Sequence, residues 1–138
     1  MTGYSGTPLA RKLGIKARSS LFVQDPPAHY QKMLAPLPAG VRFHSSLSPA
    51  VDVVHIFSKS KLSLTVTLKK TMMKLRPDAS IWVSWPKKAS KVATDITEDT
   101  VRAIALPLGL VDVKVCAVDE IWSGLKLVLR KENRPTRA

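Results

Sequence analysis

Cysteine is nearly absent from this chain: Cys116 is the only one. No internal disulfide can form, no cysteine-based zinc site can be assembled, and nothing calls for an oxidising compartment. Long hydrophobic runs are missing too. The strongest, Ala103 to Val111, is broken by Pro107 and Gly109. It falls well short of the roughly 20 residues that cross a bilayer. Met1 to Ser20 is interrupted by glycine, proline and charge. It holds no apolar h-region, so no secretory signal is expected, no membrane partner either, and the expected location is the cytoplasm. His29, His44 and His55 are far apart, so no metal site is expected.

Acidic residues are also scarce. Ten Asp and Glu stand against 22 Lys and Arg, giving a net charge of +12 and a pI near 10.2. This basic surplus should attract polyanions at low salt, whether an anionic small molecule or nucleic acid. Aromatics number only eight, three Trp, two Tyr and three Phe, and several fall in expected core strands. No helix-turn-helix, zinc-finger or RNA-recognition signature is present, so nucleic-acid binding would be nonspecific.

What remains is an ordinary globular balance, with 45 % apolar residues in 138, enough for one domain. The expected division is an arm over 1–18, an α/β domain over 19–131 and a basic tail over 132–138. In the arm, Leu9 to Leu13 suits one helical turn stopped by Gly14. Leu21-Phe22-Val23, Val41-Arg42-Phe43, Val51 to Phe57 and Ile81 to Trp85 read as strands. A short helix is expected from Pro27 to Leu34. Leu64, Leu68, Met72 and Leu75 form one apolar stripe on a helix from Lys61 to Leu75. Asp95 with Glu98 reads as a capping box for a helix running to Leu106. Alternation over Val111 to Cys116 and over Leu125 to Arg130 predicts a closing antiparallel hairpin, whose last strand is expected as an open edge for a homodimer.

Strands alternating with helices imply a mostly parallel sheet covered on both faces, with the hairpin at one edge. That three-layer α/β architecture resembles the methyltransferase version of the Rossmann fold. A nucleotide cofactor in such a fold needs a glycine-rich turn after the first strand. Here the turn is Gln24-Asp25-Pro26-Pro27, and the second strand ends His44-Ser45-Ser46 without an acid for a ribose. No cofactor is therefore expected. Ser84-x-x-Lys87 has the spacing of a serine–lysine pair, but Pro86 disfavours the helical turn that pair needs.

Three polar, aromatic-bearing segments flank expected strand ends. They are Tyr4, Ser5 and Gly6; Trp85, Lys87 and Lys88; and Trp122, Ser123 and Gly124. Together they predict a ligand crevice in which the lysines neutralise an anion and an indole stacks on it. The reading is a degenerate Rossmann-like domain that binds a ligand or partner without catalysis. Nonspecific nucleic-acid binding and a divergent methyltransferase-like enzyme are the alternatives.

One resemblance rests on longer blocks. They are Gly3 to Leu9 with Lys12 to Lys16; Leu75 to Asp78; Ile81 to Ser90; Thr94 to Asp99; Ala105 to Asp112; and Lys114 to Lys126. These resemble a bacterial family of small proteins known as a domain of unknown function, number three thousand and fifty-two. In it, Ala17-Arg18 stands where a proline–glycine turn is expected. The resemblance implies a bacterial, intracellular protein and draws attention to Trp85 to Lys88 and Trp122 to Gly124. It implies no activity, cofactor or catalytic residue.

Overall fold

Short β-branched and aromatic runs become six strands in this computed structural model, which describes residues 7–133. They are β1 (Ser20–Gln24), β2 (Arg42–Phe43), β3 (Val53–Phe57), β4 (Ser80–Pro86), β5 (Leu110–Ala117) and β6 (Trp122–Leu129). They form one sheet in the order β2-β1-β3-β4-β6-β5. The first four are mutually parallel. β6 runs antiparallel to both β4 and β5. The expected mixed sheet with a closing antiparallel hairpin is the one observed.

Helices α1 (Leu9–Lys12) and α2 (Tyr30–Leu34) cover one face, and α3 (Lys61–Lys74) and α4 (Glu98–Ala105) cover the other. All five residues of β3 are buried, as a central parallel strand requires. Its Val54 and Ile56 meet Leu64 and Leu68 of α3. Its Val53 and Phe57 join Leu13, Tyr30, Leu34 and Trp82 on the opposite face. The Trp82 indole N–H donates to the Leu13 carbonyl at 3.0 Å, fastening the 9–15 segment across the sheet.

Three sequence expectations are corrected. Asp95 does not cap α4. Its Oδ1 accepts from the Lys61 N–H at 2.6 Å and so caps α3 from across the fold. α4 starts later, at Glu98, where Thr97 Oγ1 accepts from the Thr100 N–H. The open edge belongs to β5, because β6 lies between β4 and β5. β6 buries Leu125 and Leu127, whereas Val113 and Val115 of β5 stay exposed. Lastly, the fourth strand, expected to stop at Trp85, runs on to include Pro86. Pro86 pairs with Trp122, and the following Lys87 N–H donates to the Ile121 carbonyl at 2.7 Å.

At the amino ends of the strands a charged clamp closes the sheet. Asp52 accepts from the Ser20 N–H at 2.7 Å and pairs with Arg76, which also holds Asp78. Burial works to raise the Asp52 carboxyl, but the Ser20 N–H and the Arg76 guanidinium outweigh it and hold it below its ordinary value.

Candidate functional site

In an open parallel sheet, ligands settle at the carboxyl ends of strands where the strand order reverses. Here β1 has β2 on one side and β3 on the other, so the reversal lies between β1 and β3. A crevice of about 440 Å³ opens there. Its walls are Asp25–Pro27 after β1 and Phe57–Ser60 after β3, with Trp122 and Ser63 beside them.

The turn after β1 holds a feature the sequence concealed. Asp25 adopts φ +53°, the left-handed region. Asp tolerates that region better than most residues, because its short side chain bonds locally. Gln24 Nε2 donates to Asp25 Oδ2 at 3.3 Å. The tight turn for which a glycine was sought is therefore made without one. Pro26 and Pro27 still bring no amide hydrogens to it.

The wall after β3 is braced from α4's side. The Lys59 carbonyl accepts from Thr94 Oγ1 at 2.7 Å and from the Asp95 N–H at 3.3 Å. Ser58 Oγ donates to the Ser60 carbonyl, and Ser60 caps α3 through the Ser63 N–H. Lys59, Ser60 and Ser63 thus present an ammonium and hydroxyls along one rim. The Phe57 and Trp122 rings form the apolar floor, edge to face with centroids 5.0 Å apart.

Behind this floor lies a buried polar chain. His55 is 1 % exposed and has both ring nitrogens engaged, Nδ1 with the Tyr30 hydroxyl at 2.8 Å and Nε2 with Ser84 Oγ at 2.7 Å. Its ring stacks on Phe57 at 4.2 Å. Burial pushes the His55 imidazole down to about 3 and raises the Tyr30 phenol. A neutral imidazole supplies one donor and one acceptor, matching its two hydroxyl partners. This chain ties β3 to β4 and α2. It also removes Ser84 from nucleophile duty, since the residue is fully buried and already bonded.

The segments proposed from sequence are placed as follows. Tyr4, Ser5 and Gly6 lie outside the described residues. Trp85 pairs with Ser123, and Ser84 with Gly124, so the other two segments are strand neighbours. Trp85, Lys87, Lys88 and Ser123 line a second crevice of about 530 Å³. Trp122 lines the first. Both indoles are buried, Trp85 at 6 % and Trp122 at 8 % exposure, in the cores of opposite sheet faces. They offer a ligand an edge, and the expected open stacking face is not there. Gly124 answers to packing, because a Cβ would come within 3.1 Å of Val118 and 3.3 Å of Trp82.

Sequence reasoning missed Asp25, Lys59, Ser60 and Ser63. The available signal was Ser58-Lys59-Ser60 directly after the strongest buried strand. Among the described residues, no group of three His, Cys, Asp or Glu could hold a metal ion, and no helix is long and apolar enough to cross a membrane.

No family model matches this chain, and no curated protein matches it by sequence. Solved structures do match by shape. A protein described as a type 11 methyltransferase from Sulfolobus solfataricus superposes with a TM-score of 0.59 at 13 % identity, covering 94 % of each chain. An S-adenosylmethionine-dependent methyltransferase from Aquifex aeolicus gives 0.56 at 14 % identity, covering 86 % of each. A tRNA methyltransferase from B. subtilis gives 0.56 at 10 % identity, covering 91 % of this chain and 67 % of that one.

The fold is thus the methyltransferase-like Rossmann fold. These neighbours overturn the expectation of a non-catalytic module and favour the methyltransferase-like alternative. The argument behind that expectation also weakens on the structure, since Asp25 supplies the turn that missing glycines had ruled out.

Proposed function

We propose that this chain is a methyltransferase-like enzyme whose crevice between β1 and β3 takes an adenosyl methyl donor of the S-adenosylmethionine type. The observation that carries the reading is the crevice itself. It lies where the strand order reverses, with the left-handed Asp25 in its wall. The bacterial setting implied by the sequence blocks belongs to this same reading.

The residues present fit such a donor with a changed anchoring scheme. Pro26 and Pro27 give no N–H groups, so an anionic end finds its partner in the Lys59 ammonium and the Ser60 and Ser63 hydroxyls. Asp25 is the carboxylate lining the crevice, an acceptor for ribose hydroxyls that the second strand does not supply. Phe57 and Trp122 form an apolar floor beneath a base. When bound, the donor supplies an electrophilic methyl group on a sulfonium. The protein's part is to hold it and exclude water from one side, with the 58–60 wall fixed by the Thr94 and Asp95 contacts.

Isothermal titration with S-adenosylhomocysteine and S-adenosylmethionine tests this. Saturable binding is expected, weakened at least roughly tenfold by Asp25→Asn, a loss of about 1.4 kcal/mol. Asp25→Asn keeps a residue that accepts the left-handed turn, so its thermal melt should stay put. Absence of binding by both ligands at millimolar concentration would sink the reading.

A further inference from the structure

The positive charge has a focus away from the crevice. Lys114 and Lys126 stand directly opposite each other on β5 and β6. Like charges in that position destabilise a strand pair, yet no acidic partner relieves this one in any ion pair among the described residues. Lys126 sits against the 9–18 segment, since a Cβ on Gly14 would lie 3.9 Å from its Nζ. Lys12 and Lys114 both act to lower the Cys116 thiol against the larger upward push of burial.

A crevice of about 390 Å³ continues this face, lined by Lys16, Arg18 and Lys126. Its acids, Asp52 and Asp78, are both held by Arg76. Lys16, Arg18 and Lys114 are exposed. None of the exposed large hydrophobic residues lies on α1 or on the 14–18 loop. A lipid surface would ask for such residues, whereas a phosphodiester chain asks only for spaced cations.

We propose that the face formed by Lys16, Arg18, Lys114 and Lys126 binds the phosphodiester backbone of nucleic acid. The inference stands on charge and register and is independent of the adenosyl reading. Two phosphates held by the hairpin lysines would offset the repulsion that their register imposes, and the crevice beside them admits a further phosphate. The contact expected of spaced cations is with the backbone and not with base edges.

The test is fluorescence anisotropy with a labelled single-stranded RNA, and with DNA of the same sequence, titrated from about 50 to 200 mM salt. The variants are Lys114→Gln/Lys126→Gln and, for equal charge loss elsewhere, Lys69→Gln/Lys70→Gln on exposed positions of α3. The hairpin variant should weaken binding roughly tenfold or more and cut the log–log salt slope by about 1.4. The α3 variant should change affinity by less than about threefold and leave the slope intact. Binding of RNA alone, or of RNA and DNA alike, supports the proposal. Equal losses in the two variants, no binding of either strand, or binding only to vesicles containing phosphatidylglycerol would overturn it. A melting curve separates the outcomes from misfolding, since neutralising the facing lysines should not lower the midpoint.

Discussion

Acidification should destabilise this fold through one buried histidine. His55 has its imidazole pushed down to about 3 in the fold, against 6.5 as an ordinary value, and the cause is burial. Below pH 6.5 the unfolded chain takes up a proton that the folded chain refuses. The unfolded state then binds more protons, so stability falls as pH falls. The contribution is fully present above the ordinary value and is lost progressively down towards the folded one. Its slope approaches about 1.4 kcal/mol per pH unit. Between pH 7.5 and 5.5 the loss from this group is about 1.3 kcal/mol. That figure is set almost wholly by the unfolded value, so any folded value below 5 gives the same result. The assay is urea denaturation of the wild type and of His55→Gln at both pH values. His29 and His44 are common to both proteins and cancel in the comparison. The wild type should lose about 1.3 kcal/mol more than the variant. Equal losses, or an NMR titration of His55 with its midpoint near 6.5, would refute the reasoning.

Further outcomes follow from the same coordinates. Tyr30→Phe leaves His55 Nδ1 without its hydrogen-bond partner in the core and should cost about 1–3 kcal/mol in urea denaturation. Asp25→Val places a β-branched residue at φ +53°. It should destabilise by about 1–2 kcal/mol, while Asp25→Gly should be nearly neutral. Lys114→Thr removes one of two facing ammoniums. It should raise stability by about 0.2–1 kcal/mol at low salt, and the gain should fade at high salt.

Local pattern reached far into this fold. Leu64, Leu68, Met72 and Leu75 declared α3, and alternation along 111–116 and 125–130 declared the hairpin. These periods are properties of neighbouring residues, and neighbours are all that a sequence displays directly. Contacts across the chain were not readable in that way. Asp95 caps a helix whose first residue lies 34 positions earlier. Tyr30, His55 and Ser84 meet across separations of 25 and 29 residues. The capping-box pattern of Asp95 with Glu98 was sound local grammar. It lost because Asp95 is drawn onto the Lys59 carbonyl by its own N–H, which aims its carboxylate at α3.

The left-handed turn after β1 was hidden for a different reason. Searching for a cofactor turn by its glycines treats a residue type as a proxy for a backbone conformation. Among the described residues, three take that conformation without being glycine: Arg18 at φ +64°, Asp25 at +53° and Lys91 at +61°. Each lies in a segment that lines a crevice, at Lys16–Ser19, Asp25–Pro27 and Lys87–Thr94. A left-handed residue with a side chain costs more than glycine, but it delivers that side chain to the bend. Glycine at Asp25 would leave its crevice without a carboxylate, and glycine at Arg18 or Lys91 would take one of several cations from theirs. What looked in the sequence like a missing cofactor turn is therefore, in the structure, a turn that carries its own charged group.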